Sequence, residues 1–257
     1  MRNMPNPTNV DLQIRNRLLS VLPPDEFEFI RPHLEFVELP LGNMYAQLGD
    51  SISKCFFPNS GMISLLSVTE YGTACEVGYV GFEGMIDLDV VLGKNEMPYQ
   101  ALVQANCNGY RVPVDIVRQL FDKGGVFHDA VLRFAYVIVR QIAQTCTCNH
   151  FHNIYSRLCR WLSVMCERSG NKNLALTQEF LAHMLGVQRT SLGLVANSMQ
   201  KDGLIRYRRG KVEIIDFERL RASACECFGI VKREYEEFLN DKKFQPMSDA
   251  RQTDTFL

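Results

Sequence analysis

Gln188, Arg189, Thr190 and Ser191 stand in a row at the front of a segment with helical periodicity, and Arg206, Arg208, Arg209 and Lys211 follow in the run IRYRRGKVEI. Short or forked hydrogen-bonding side chains at the front of a helix can reach base edges in a groove about 12 Å wide, and nearby cations can neutralise phosphates. From Met184 to Lys211 the sequence carries six cationic residues against the single Asp202, a local +5, while the whole chain is at -1 and the remainder therefore at -6. A basic patch on an acidic protein attracts one polyanion without making the entire surface adhesive. A solvated charged face is the plainer reading of any charge cluster, so the flanking pattern has to decide.

That pattern is specific. Thr177 is placed to cap a helix with Glu179 in its first turn, and Phe180, Leu181, Met184 and Leu185 repeat at helical spacing. Gly186 then allows a sharp exit. Leu192, Val195, Ala196 and Met199 give a second helix an apolar back that ends near Asp202-Gly203, leaving Gln188 to Ser191 outward. LIRYRRGKVEII reads as a hairpin turning at Arg208-Arg209-Gly210-Lys211. Helix, tight turn, helix and basic hairpin make a winged helix-turn-helix whose second helix enters a major groove while the wing meets a phosphate. A helical hairpin packed for stability alone, or used for protein contacts, is the alternative use of the same elements.

The other reactive residues offer less. Nine cysteines without small-scaffold spacing read as reduced thiols. Cys146-x-Cys148 and Cys225-x-Cys227, with His150 and His152 beside the first pair, lack the usual two-residue spacing of metal sites, and helical positions i and i+2 point about 200° apart. Buried structural thiols are expected, with no metal and no cofactor, and His183 reads as a packing or surface residue. A glycine-rich phosphate loop, nucleophile elbow, HExxH or triad order is missing from the sequence, so an enzyme is not expected. No apolar stretch approaches the roughly 18 to 20 residues of a membrane span, and the opening MRNMPNPTNV lacks a secretory core, so a cytoplasmic protein is expected.

Upstream, LEFVELPLG, KCFFPNSGMISLLSV, TACEVGYVG and YQALVQANCNGYRVP are apolar or alternating runs broken by turn residues, as in antiparallel strands. Ala101, Val103, Ala105 and Cys107 form a buried face, alternating with a wetter one at Gln100, Gln104 and Asn106. Between the halves runs a segment apolar on more than one side, with Val131, Phe134, Ala135, Ile138, Ile142 and Ala143 on one face and Asn149-His150 marking a bend. A following helix bears Leu158, Trp161, Leu162 and Met165.

The run LTQEFLAHMLGVQRTSLGLVANSMQKDGLIRYRRGKVEIIDFERLRASACECF closely resembles the C-terminal DNA-binding domain of the Crp/Fnr transcription regulators, above all in LGVQRTSL and GLIRYRRG. The likeness is close over the last third of the folded chain and loose elsewhere. It implies an α+β protein: a cyclic-nucleotide-binding-like β jelly roll at 15–125, a long dimerisation helix at 126–150 and a winged helix-turn-helix at 151–240, while the composition of the two ends reads as a flexible start at 1–14 and a flexible tail at 241–257. Implied too are a homodimer on a two-fold-related double-stranded DNA site, with RNA polymerase a further candidate partner. By resemblance Thr177, Gln188, Arg189, Thr190, Ser191, Arg206, Arg208, Arg209 and Lys211 are the DNA contacts, and Val131, Phe134, Ala135, Ile138 and Ile142 the dimer interface. Leu194 replaces a basic residue often found there, so no target sequence carries over.

The family's phosphate cassette presents a glycine-glutamate pair and, about ten residues later, an arginine that a buried cyclic phosphate needs. Here Glu83 and Gly84 are present, but Pro98-Tyr99-Gln100 occupies the arginine's place. Glu83, Gly84, Tyr99 and Gln100 are therefore candidates for an effector pocket of unknown ligand rather than one for cyclic AMP. Iron-sulfur members of the family use an N-terminal run of cysteines, whereas the first cysteine here is Cys55. A small-ligand or protein-interaction sensor whose winged helix no longer binds DNA is the alternative function.

Overall fold

The computed structural model describes residues 13–244. Two short helices, α1 (Arg17–Ser20) and α2 (Pro24–Ile30), precede the sheet. Asn16 caps α1 through Leu19 N–H and donates to the carbonyls of Pro58 and Gly84, pinning the chain's entry to the sheet. Glu26 of α2 accepts from the backbone N–H groups of Val126 and Phe127, both at 2.8 Å, where a carboxylate meets the positive end of a long helix.

Strands β1 (Glu35–Leu39), β2 (Met44–Ala46), β3 (Lys54–Val68), β4 (Ala74–Val80) and β5 (Gln100–Pro113) form one antiparallel sheet in the order β1-β5-β3-β4, with β2 also paired to β5. The β3–β5 register shifts three times between Pro58 and Ile63, and such bulges bend a sheet around its core. At Gly61 a side chain would begin 2.4 Å from the Asn106 carbonyl oxygen, so only glycine lets the strands approach there. The expected alternation along β5 holds for Ala101, Val103, Ala105 and Cys107, all buried, but Gln104 on the other face is buried too. Its amide donates to Met184 Sδ at 3.4 Å, because the C-terminal domain covers that face.

Beyond the sheet come α3 (Val114–Asp122), α4 (Val126–Phe151), α5 (Ile154–Ser169), β6 (Asn173–Ala175), α6 (Gln178–Leu185), α7 (Arg189–Lys201), β7 (Ile205–Arg208), β8 (Lys211–Ile214), α8 (Phe217–Ala222) and α9 (Cys227–Leu239). The break between α4 and α5 falls at His152-Asn153, both extended, rather than at Asn149-His150; Asn153 then caps α5 by accepting from Ser156 N–H at 2.9 Å. Leu158, Trp161, Leu162 and Met165 on α5 are buried as expected. The hairpin β7–β8 gains β6 as a third strand, too short to carry a pattern of its own. Among the described residues no helix is long and apolar enough to cross a membrane.

Helix α4 corrects one expectation. Val131, Phe134 and Ile138, expected at a dimer interface, are buried within the protomer, where α4 lies against β4 and α9. Phe134 faces Gly84 and stands 6.1 Å from the ring of Phe238 on α9. Of the expected set only Ala135 and Ile142 remain reachable, together with Leu132, Tyr136 and Val139. The sequence showed apolar residues on several sides, but not which side α9 would fold back to cover. A side chain at Gly84 would begin 1.9 Å from Phe134 Cζ. Gly84→Ala is accordingly expected to lower the unfolding free energy in urea by about 1–3 kcal/mol, with partial recovery when Phe134→Leu is added.

Candidate nucleic-acid interface

Thr177 caps α6, its hydroxyl oxygen accepting from Phe180 N–H at 3.1 Å. Leu181, Met184 and Leu185 are buried, while Phe180 is half-buried in an edge-to-face contact with Trp161. Gly186 closes the helix at φ +60°, a left-handed conformation that glycine adopts without penalty, and the N–H groups of Gly186 and Val187 bond back to His183 O and Ala182 O. Gln188 is extended and α7 begins at Arg189. Leu192, Ala196 and Met199 bury the back of α7.

The opposite side is open. Gln188, Arg189 and Thr190 are exposed and Ser191 partly so, and no side chain caps the helix, leaving first-turn N–H groups available to an acceptor. Arg189 has no ion pair among the described residues. Leu194, 75% exposed, stands on the same side as Thr190, one turn on.

The wing is a two-residue hairpin with Arg209 at φ 47° and Gly210 at φ 75°, the two positive values of a type I′ turn. Tyr207 fixes it, its N–H donating to Gln200 Oε1 and its hydroxyl to Leu176 O, at 2.8 and 2.7 Å. Arg206 lies directly across from Glu213 and pairs with it at 2.8 Å, so its charge is partly matched within the protein. Arg208, Arg209 and Lys211 are exposed and have no carboxylate partner among the described residues. The wing turn lies over Thr177, whose Cγ2 would be 3.4 Å from a side chain at Gly210. Thr177 is thus already committed as a cap and retains only its O–H to offer.

This domain packs on the sheet through α6 and α5. Gly186 approaches Cys75 on β4. Arg157 of α5 donates to Asn149 Oδ1 at 2.8 Å and to Leu185 O, joining the ends of α4 and α6. Glu83, fully buried, forms an ion pair with Arg168 of α5. That guanidinium lies beside the stacked rings of Tyr79 and Tyr235, 5.3 and 5.2 Å from their centroids. Gln141 of α4 accepts from Tyr79 N–H and donates to the Tyr235 hydroxyl, which donates to Tyr79 O. Burial also raises the pKa of Glu76, against the pull of the Ser64 hydroxyl donating at 2.5 Å.

The four candidate effector residues therefore turn to different partners. Glu83 faces Arg168 across the domain contact, beside a cavity of about 240 Å³ that Phe82 and Lys232 also line. Gly84 faces Phe134; the Tyr99 hydroxyl donates to Asp89 at 3.0 Å; the Gln100 amide donates to Gln47 at 2.8 Å. The expectation about the cysteines also needs correcting. Cys146 is exposed on α4, whereas Cys148 and His152 converge with Cys225 and Cys227, a set that could hold a metal ion.

Residues 156–223, from α5 through α8, match the Crp-like helix-turn-helix domain. A Eubacterium rectale protein assigned to the crp/fnr family superposes with a TM-score of 0.67 at 16% identity, over 79% of this chain and 94% of its own. FixK2 from Bradyrhizobium japonicum gives 0.62 at 9% identity, over 75% and 98% of the two chains. The c-di-GMP responsive global regulator CLP of Xanthomonas campestris gives 0.59 at 16% identity, over 75% and 99%. No curated protein matches the chain. At these identities the likeness establishes the fold, which is that of the Crp/Fnr regulators.

The Glu83–Arg168 contact can be tested directly. Arg168→Ala leaves a buried carboxylate unpaired and is expected to cost about 3–5 kcal/mol in urea unfolding, and Glu83→Gln in the same chain should recover part of that loss.

Proposed function

We propose that this chain, with its Crp-like helix-turn-helix domain and Crp/Fnr fold, is a sequence-specific DNA-binding transcription regulator that acts as a homodimer and is not controlled by cyclic AMP. The observation that carries the reading is the exposure of unpaired cations on two neighbouring elements, the front of α7 and the wing, with Arg189 close enough to act electrostatically on Tyr207 of β7. Arg189 and its neighbours stand free at the front of a helix whose back is buried, and three wing cations stand free beside it. Arg189 is suited to bidentate contact with guanine, Leu194 to a thymine methyl, and Arg208, Arg209 and Lys211 to phosphates. RNA polymerase is a further partner of a regulator of this kind.

The free side of α4 supports the homodimer. Leu132, Val139 and Cys146 recur every seven residues, each followed three residues later by Ala135, Ile142 and Asn149, the a and d positions of a left-handed coiled coil. Leu132, Val139 and Ile142 are 45%, 63% and 38% exposed in the single protomer, which leaves an apolar stripe for a second copy to cover. The absence of a cation at Pro98-Tyr99-Gln100 and the commitment of Glu83 to Arg168 favour an effector other than cyclic AMP.

Arg189→Ala is expected to weaken binding to a selected site by about 1–3 kcal/mol and to relax its sequence preference, measured by gel shift at stated salt. Arg208→Ala, or Arg209→Asn, which tolerates the left-handed turn, should instead weaken all DNA alike and reduce the salt slope by about one each. Selection from random DNA should return a two-fold-related site. If no sequence is enriched and Arg189→Ala changes nothing, the winged helix serves another purpose. Val139→Glu should shift the chain from dimer to monomer in sedimentation.

A further inference from the structure

Three of the nine cysteines gather away from the main core. Cys148, Cys225 and Cys227 are buried in a small cluster of their own, and their sulfurs and a ring nitrogen of His152 all lie within 4.8 Å of one another. Cys148 lies in the last turn of α4 and His152 just after it, its N–H still bonded to the Cys148 carbonyl at 3.1 Å, so the two stay on one side. Cys225 lies in the turn after α8 and Cys227 opens α9, so this pair is not held on opposite sides of a helix. The Cys148 and Cys225 sulfurs are 3.4 Å apart, and Cys227 Sγ is 3.5 Å from His152 Nδ1. Around one tetrahedral zinc, with Zn–S of about 2.3 Å and Zn–N of about 2.0–2.1 Å, sulfurs stand about 3.8 Å apart and a sulfur and a nitrogen about 3.5 Å.

The surroundings fit a ligand histidine. His152 Nε2 lies 3.1 Å from Glu226 Oε1, so the carboxylate accepts from Nε2–H and leaves the Nδ1 lone pair facing the thiols. Gln144 donates to Cys227 Sγ at 3.0 Å. The guanidinium groups of Arg157 and Arg160, both buried, are close enough to act electrostatically on Cys148 or Cys225. They would offset the single negative charge left when three thiolates and a neutral imidazole bind a divalent ion.

We propose that Cys148, His152, Cys225 and Cys227 bind one zinc ion, or a divalent ion of the same tetrahedral, thiolate-seeking class. The ion fastens the end of α4 to the corner between α8 and α9. Loading releases the three thiol protons to solvent, and the metal–sulfur bonds form without change of oxidation state. Four protein ligands fill the coordination shell, so the site is structural. Its place matters because Arg157 links Asn149, next to Cys148, to the carbonyl of Leu185 at the end of α6. The metal thus stiffens the joint that aims the helix-turn-helix.

The test uses the full chain, purified anaerobically under reducing conditions without chelator. Elemental analysis should give one zinc per chain, and cobalt added to the metal-free protein should show thiolate charge-transfer bands and the intense visible absorption of a tetrahedral site. Glu226→Gln alters an exposed residue that is not a ligand and should weaken zinc affinity by about 10- to 100-fold in competition with a chelating dye. Cys225→Ser should abolish stoichiometric binding, whereas Cys146→Ser should retain it. A protein that stays metal-free in excess zinc, a weak octahedral cobalt spectrum, or full binding by Cys225→Ser would overturn the proposal. Should Cys225→Ser fail to fold, the cobalt spectrum of the unaltered chain decides. None of these measurements involves DNA, so the metal site and the regulator reading fail separately.

Discussion

Helix α4 carries apolar side chains around most of its circumference, and much of the molecule follows from how those faces are divided. One face is sealed by the sheet and by α9, which returns from the far end of the chain to lie along it. That return packs Phe238 against Phe134, holds Tyr235 against Tyr79, and brings the Cys225–Cys227 corner up to Cys148 and His152. The other face keeps its heptad spacing and is left to a second copy in the proposed dimer. A single packing decision thus separates an internal core from an external seam.

The C-terminal domain is held to the sheet by contacts of a different kind. Around Glu83 and Arg168 an ion pair, two aromatic rings and the amide of Gln141 form one connected polar network inside the domain contact. Buried networks of this sort give specificity of arrangement more than net stability, because each charge has a large desolvation penalty to offset. The glutamate that resembles part of a phosphate cassette here serves to fix one domain against the other. A ligand in the neighbouring cavity would act on that contact.

The helix-turn-helix was legible because everything that makes it is local. The Thr177 cap, the Gly186 exit, the 192–196–199 stripe and the Arg209-Gly210 turn lie within 34 residues, and each signal agrees with the next. What escaped the sequence depends on distant partners. The covered side of α4 is chosen by α9, the burial of Gln104 by α6, and the four-residue thiol and imidazole cluster by residues up to 79 apart in the chain. Spacing argued against both Cys-x-Cys pairs as chelates; Cys146 is exposed while Cys148 is buried, but Cys225 and Cys227 share one cluster because a turn and not a helix carries them. The pattern gave no sign that Cys148 would find His152 on its own side and two more sulfurs across a turn.

The short extended link at His152-Asn153 has a geometric consequence. Helix α5 is 16 residues long, about 24 Å, and everything that would touch DNA is carried beyond its start. A swing of only 5° about that joint displaces the far end of α5 by about 2 Å. In a symmetric pair the two displacements are related by the two-fold axis and change the gap between the reading helices, which must match half-sites about 34 Å apart. In the proposed dimer these two non-helical residues, together with the Glu83–Arg168 pair that holds the far end of α5, would set the pitch that the assembled pair accepts.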